Sequence, residues 1–161
     1  VNASSEQLEK ECFVEDTLAI LKEYDFPPSQ LWIEITERCR DLPISMIKKT
    51  VTAFREAGIH ITMDDYGTGS SSSQMMLELP VEGVKIDMFF VKDILEEKKK
   101  QALVIGMINF ANAADLKICI EGIENDSLES YLRQFDVTCF QGYHYSRSIC
   151  QDELMKLLIK P

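Results

Sequence analysis

The chain has 161 residues, 45% of them apolar and 27% charged, which is ordinary globular composition and enough to bury a sizeable core. A formal net charge of −10 excludes the basic footprint of a DNA- or RNA-binding protein, and means that a phosphate-bearing ligand needs a metal or local cations to offset repulsion. Five cysteines, Cys12, Cys39, Cys119, Cys139 and Cys150, are scattered without a CxxC pair, which argues against a zinc site or a disulfide framework and for reduced thiols in a cytoplasmic protein.

Ser4 or Ser5 is a candidate cap for a helix carrying Leu8, Phe13, Leu18 and Leu21, closed by Pro27 and Pro28. "LWIEIT" (31–36) reads as a strand, followed by a helix over 44–57 that Gly58 stops. "IHITMDD" is the next strand, "SQMMLEL" a short helix ended by Pro80, and "GVKID" another buried strand. Helical pattern covers 88–114 with a break expected near the run Lys98 to Lys100, itself read as a solvated helix face. The longest apolar region, 102–114, is interrupted by Asn109 and Asn112 and falls short of a membrane span, and no signal-peptide pattern is present. "LKICIEG" is a strand, 126–135 a helix, "VTCFQGY" a strand and 151–159 a final helix. No linker divides the series, so residues 1–161 read as one domain.

Strict alternation of strand and helix with apolar strands implies a parallel sheet covered by helices. Asn2, Glu34, Asp64 with Asp65, Lys85 with Asp87, Glu121 and Gln141 each fall at or just past the carboxyl end of a predicted strand. An open doubly wound sheet concentrates function at one switch point, whereas a barrel rim collects it from many strands, so the α/β fold expected is a (β/α) barrel.

Several of these residues have a bland reading beside the functional one. Glu34 would be a solvent-facing residue if its strand were half exposed; on a parallel strand covered on both faces it must be paired or bound to a metal. Glu37 and Arg38 fit a surface pair, Lys85 and Asp87 an internal ion pair, and Glu124 an exposed acid at a helix start. His60 and His144 lack a second histidine or cysteine at ligand spacing and read as peripheral. The oxygen-rich set Glu34, Asp64, Asp65, Asp87 and Glu121 suits Mg²⁺ or Mn²⁺. Two such ions about 4 Å apart would activate a water and stabilise in-line phosphoryl displacement.

The stretches "VNASSEQL", "LWIEITER", "MDDYGTGSSS", "VKIDMFFV", "CIEGIEN" and "FQGYHYSRSI" resemble, in order and spacing, the motifs of EAL domains, which are bacterial cyclic di-GMP phosphodiesterases on a TIM-like barrel. The resemblance covers essentially the whole chain. It implies Asn2, Glu34 and Asp64 on a first metal, and Asp65 and Glu121 with bridging Asp64 on a second. It implies Lys85, with Asp87 beside it, positioning the hydrolytic water, Glu37 organising the loop after Asp65, and Glu124 and Gln141 supporting metal or substrate. The implied reaction opens cyclic di-GMP to linear pGpG with Mg²⁺ or Mn²⁺.

Three positions depart from the family pattern. The Glu-Ala-Leu tripeptide, source of another first-metal ligand, is absent; Ser70 replaces an aromatic residue; and Ser148 replaces proline. A barrel of roughly 250 residues allots about 31 to each strand–helix unit, so the expectation is an amino-terminally truncated barrel of low or no activity. Such a chain is expected to self-associate or to retain an amino-terminal piece. The alternative to an enzyme is a non-catalytic EAL-like module that binds cyclic di-GMP or a protein partner.

Overall fold

A computed structural model describes residues 1–36, 39, 42–68 and 72–159. Six strands, β1 (Asn2–Ala3), β2 (Trp32–Thr36), β3 (His60–Tyr66), β4 (Gly83–Ile86), β5 (Lys117–Ile120) and β6 (Cys139–Phe140), form one sheet in sequence order. Every neighbouring pair is parallel. A doubly wound sheet reverses its strand order at a switch point; this one never does. Successive crossovers of one hand therefore place the connecting helices on the same side, which is the winding of a barrel wall.

The helices are α1 (Ser5–Leu8), α2 (Phe13–Glu23), α3 (Ile44–Glu56), α4 (Ser72–Glu78), α5 (Met88–Val91), α6 (Lys98–Ala113), α7 (Asp126–Leu132) and α8 (Gln151–Leu158). The single amino-terminal helix expected from the sequence is two. Ser4 caps α1 through a reciprocal pair with Gln7, and a turn at 9–12 separates it from α2. The break expected near Lys98 lies at 92–97 instead, and the lysine run opens α6, where Lys98 and Lys99 are exposed as expected.

Burial alternates along β2 and β5, while β4 is buried throughout and β3 is buried over residues 61–63. Ile33, Ile35, Ile61, Met63, Val84, Ile86, Ile118 and Ile120 point outward under the helices and are almost fully buried with Ile47, Val51, Phe54, Val104 and Ile108. Trp32, Glu34 and Thr36 alternate with them and are only half-buried. Coverage of both faces, expected from the apolar strands, is thus corrected: helices cover the outer face, and the inner face is a concave groove of about 410 Å³. The groove contains Trp32, Glu34, Lys85, Cys119, Cys139 and Gln141. The sheet's edges are β1 and β6, each two residues long. Among the described residues no helix is long and apolar enough to cross a membrane.

Candidate active site

The adjacent aspartates owe their placement to an irregularity in β3. Met63 pairs with Val84 and Tyr66 with Ile86, so Asp64 and Asp65 together face the single residue Lys85 of β4. This extra residue is a bulge, and Asp65 accommodates it in the left-handed region at φ 54°, a conformation aspartate tolerates better than most residues. Its carbonyl accepts hydrogen bonds from the Thr68 amide at 3.1 Å and the Thr68 hydroxyl at 2.9 Å, fixing the turn between them.

Lys85 is the centre of the site. Its Nζ lies 2.6 Å from Glu121 Oε1, 3.0 Å from Glu34 Oε2 and 3.3 Å from Asp64 Oδ1, gathering carboxylates from β2, β3 and the end of β5. With Thr62 it is one of two buried polar residues among the described ones. The internal pair of Lys85 with Asp87 is not what forms. Asp87 caps α5, its Oδ1 accepting from the Phe89 amide at 2.7 Å, and its charge reaches the cluster through Glu121.

Burial alone would depress the Lys85 ammonium's pKa, but hydrogen bonds to Glu121 and Glu34 and the charges of Glu121 and Asp64 outweigh it, so the net shift is upward. Burial raises the Glu121 carboxyl, Lys85 opposes this, and Asp64 and Asp87 add to the rise. One ammonium among several carboxylates is thus held charged, whereas for Glu121 burial outweighs the help that Lys85 gives. Among the described residues Asp64 Oδ1 is buried and has no hydrogen-bond partner; its 3.3 Å approach to Lys85 is an ion pair only. An orphaned carboxylate oxygen in a cluster with surplus negative charge fits a hard divalent cation.

The remaining expected residues are placed unequally. Asn2 is the register partner of Glu34 and stands beside it at the edge of the sheet. Gln141 lines the same groove as Glu34 and Lys85. Glu124 lies elsewhere, in a separate cavity of about 260 Å³ with Met88, Asp93 and Asn125. Glu37, Arg38 and Ser70 lie outside the described residues. Gly122 follows Glu121 at φ 75°, and a Cβ there would stand 2.5 Å from Met88 Cβ. At Gly142 a Cβ would meet the Ile123 carbonyl oxygen at 2.0 Å, so glycine lets the 121–124 segment pack against the chain after β6.

Both histidines are peripheral. His60 stacks on Trp32 at 4.4 Å and its Nδ1 lies 2.5 Å from Glu82, which also pairs with Arg55. His144 Nε2 lies 3.1 Å from Glu129 and 3.4 Å from Asp126, with Glu129 already held by Arg133.

Cys119 and Cys139 are groove residues that spacing between cysteines does not single out. The signal that finds them is strand alternation: counting back two residues from Glu121 and from Gln141 places each on the same face as those polar groups. Register pairing of β5 with β6 sets the two side by side. The neighbouring Cys119 thiol, with help from Lys85 and against burial, shifts Cys139 downward. The Cys139 neighbour, with burial, pushes the Cys119 thiol upward.

The EAL domain family model matches residues 1–148. The chain is 27% identical over 147 residues to the cyclic di-GMP phosphodiesterase PdeR of Escherichia coli, covering 91% of this chain and 22% of that protein. The crystal structure of the EAL domain of Mycobacterium smegmatis DcpA superposes with a TM-score of 0.93 at 31% identity, over 98% of this chain and 70% of that one. Klebsiella pneumoniae BlrP1, solved as a manganese/cyclic di-GMP complex, gives a TM-score of 0.84 at 25% identity, over 91% of this chain and 38% of that one. The chain spans less than half the length of the curated relatives it matches.

Proposed function

The chain belongs to the EAL domain family, and on that premise we propose that its concave face serves metal-dependent hydrolysis of cyclic di-GMP to linear pGpG. The observation that carries this reading is the Lys85 cluster, in which Glu34, Asp64 and Glu121 converge on one buried ammonium while, among the described residues, a buried oxygen of Asp64 lacks a hydrogen bond. Residues 1–161 act as one domain in this reading.

Asn2, Glu34, Asp64, Asp65 and Glu121 are the residues that would hold Mg²⁺ or Mn²⁺. Bound metal supplies Lewis acidity, lowering the pKa of water and offsetting charge on the phosphoryl oxygens. Lys85 has N–H donors and no acceptor, and with its pKa raised it stays charged at neutral pH. Its work is therefore to orient oxygen atoms, those of the carboxylates and of the attacking water, rather than to accept a proton. Glu121, 2.6 Å from the same ammonium, would act as a metal-holding carboxylate beside that water. The water oxygen bonds to phosphorus and releases a proton to solvent, and one P–O bond of the ring breaks. The leaving sugar oxygen takes a proton from solvent, and the product is linear with a terminal phosphate. Asp87 shapes this region as the cap of α5, and Gln141 lines the groove in which the nucleotide would bind.

The test joins this chain to a segment supplying the Glu-Ala-Leu tripeptide and assays for pGpG with Mg²⁺ and with Mn²⁺. Absence of product from folded protein with either ion overturns the enzymatic reading. Tight binding of cyclic di-GMP without product would establish the non-catalytic module instead.

A further inference from the structure

The concave face carries two thiols that no step of the proposed hydrolysis uses. Cys119 of β5 and Cys139 of β6 are direct register partners. Register partners on adjacent strands share a face with Cα atoms about 4.8 Å apart, inside the range of about 4.4–6.8 Å that a disulfide spans. Both residues line the groove. Cys139 is exposed and Cys119 half-buried, so a reagent meets Cys139 first. The remaining cysteines are placed differently: Cys39 is buried, and Cys12 and Cys150 are exposed caps of the separate helices α2 and α8.

We propose that Cys119 and Cys139 are a reversible dithiol–disulfide pair, oxidised by a small-molecule disulfide of the glutathione class entering the groove. The Cys139 thiolate attacks one sulfur of the small disulfide, forming a mixed disulfide and releasing one small thiolate. Cys119 gives its proton to solvent and its sulfur attacks the Cys139 sulfur, forming the Cys119–Cys139 bond and releasing the second small thiolate. The protein loses two protons and two electrons, and the oxidant takes them up to become two thiols. The new bond would tie the edge strand β6 to β5 two residues before Gln141 and Glu121. Accessible disulfides are the readily reduced ones, so the reaction reverses with excess thiol. This inference is independent of the hydrolytic reading, and either can fail without the other.

The experiment treats the 161-residue chain with oxidised glutathione, blocks free thiols, and reads the intact mass and the peptide map. The expected result is loss of two hydrogens, a linked peptide pair containing Cys119 and Cys139, and full reversal by dithiothreitol. Cys119→Ser should stop at a glutathione adduct on Cys139, and Cys139→Ser should leave Cys119 without an adduct. Should either variant fail to fold, thiol labelling of the unmodified chain gives the same reading as joint loss of label at both positions. Glutathione adducts confined to Cys12 and Cys150, with positions 119 and 139 still fully labelled, would overturn the proposal.

Discussion

Lys85 Nζ lies 2.6 Å from Glu121 Oε1, although Cys119 and not Glu121 is the register partner of Lys85. Glu121 is two residues further along, on the same face, just past the last paired residue Ile120. The lysine thus reaches forward from the middle of the sheet to its carboxyl-terminal rim, and draws Glu34 and Asp64 to the same point.

Removing that ammonium should be costliest while no divalent cation is present. The Glu34, Asp64 and Glu121 side chains keep just 22%, 14% and 19% exposure, so Lys85→Met strands their charges. Denaturant unfolding in chelator should show a loss of about 3 kcal/mol, the lower end of what breaking a buried pair costs. Millimolar Mg²⁺ or Mn²⁺ should recover part of it. An equal loss with and without metal would show that the carboxylates do not form a cation site.

The pH dependence of stability should carry the mark of Glu121. Its folded pKa is raised, so its stabilising contribution is full below the ordinary carboxylate range, near 4.3 for an unperturbed glutamate, and is lost as pH rises through the higher folded value. In metal-free buffer, Glu121→Gln should therefore be less stable than the unmodified chain at acid pH relative to neutral pH. Lys85 is also raised, so its contribution persists through neutrality and fades only above the ordinary lysine range. In the hydrolysis assay, Glu121→Gln should lower turnover far more than cyclic di-GMP binding measured in Ca²⁺.

Asp87 separates a capping role from a chemical one. Asp87→Ala removes the acceptor for the Phe89 amide and should cost about 0.5–2 kcal/mol, as loss of a helix cap does. Asp87→Asn keeps the acceptor and should restore stability to within a few tenths of a kcal/mol. Retained hydrolysis in the asparagine variant would assign Asp87 to the cap alone.

Gly142→Ala should destabilise the rim without touching an ionisable group. The added Cβ would stand 2.0 Å from the Ile123 oxygen and 2.4 Å from its nitrogen, both backbone atoms that cannot rotate away. A cost of about 1–3 kcal/mol is expected from forced overpacking. The bond from the Ile123 amide to the Gln141 carbonyl, 3.1 Å long, should lose hydrogen-exchange protection first.

The edges of the sheet predict association. Both β1 and β6 offer backbone groups on one side, though each is only two residues long, so pairing with a second copy or a companion peptide should be weak. Light scattering over a range of concentrations should show a mass rising above the 18.4 kDa monomer. A constant monomer mass would refute edge pairing.

The alternation of strand and helix, the parallel sheet and the delivery of polar residues to one rim were legible from the chain alone. They depend on local periodicity and on the residues immediately after each apolar run, both properties of sequence neighbours. What tertiary structure decided was partnership. Lys85 looks like the partner of Asp87 in "VKID", yet three other elements outcompete it, because register brings Glu34, Asp64 and Glu121 to the ammonium while Asp87 turns to cap α5. Glu124 follows Glu121 so closely in sequence that the two read as one motif, but the Gly122 turn sends it to another cavity. Cys119 and Cys139 are 20 residues apart, and nothing local joins them; only the parallel pairing of β5 with β6 makes them neighbours. Periodicity assigns a residue to a face, whereas contact across a sheet depends on register, bulges and turns set by the packing of the whole chain.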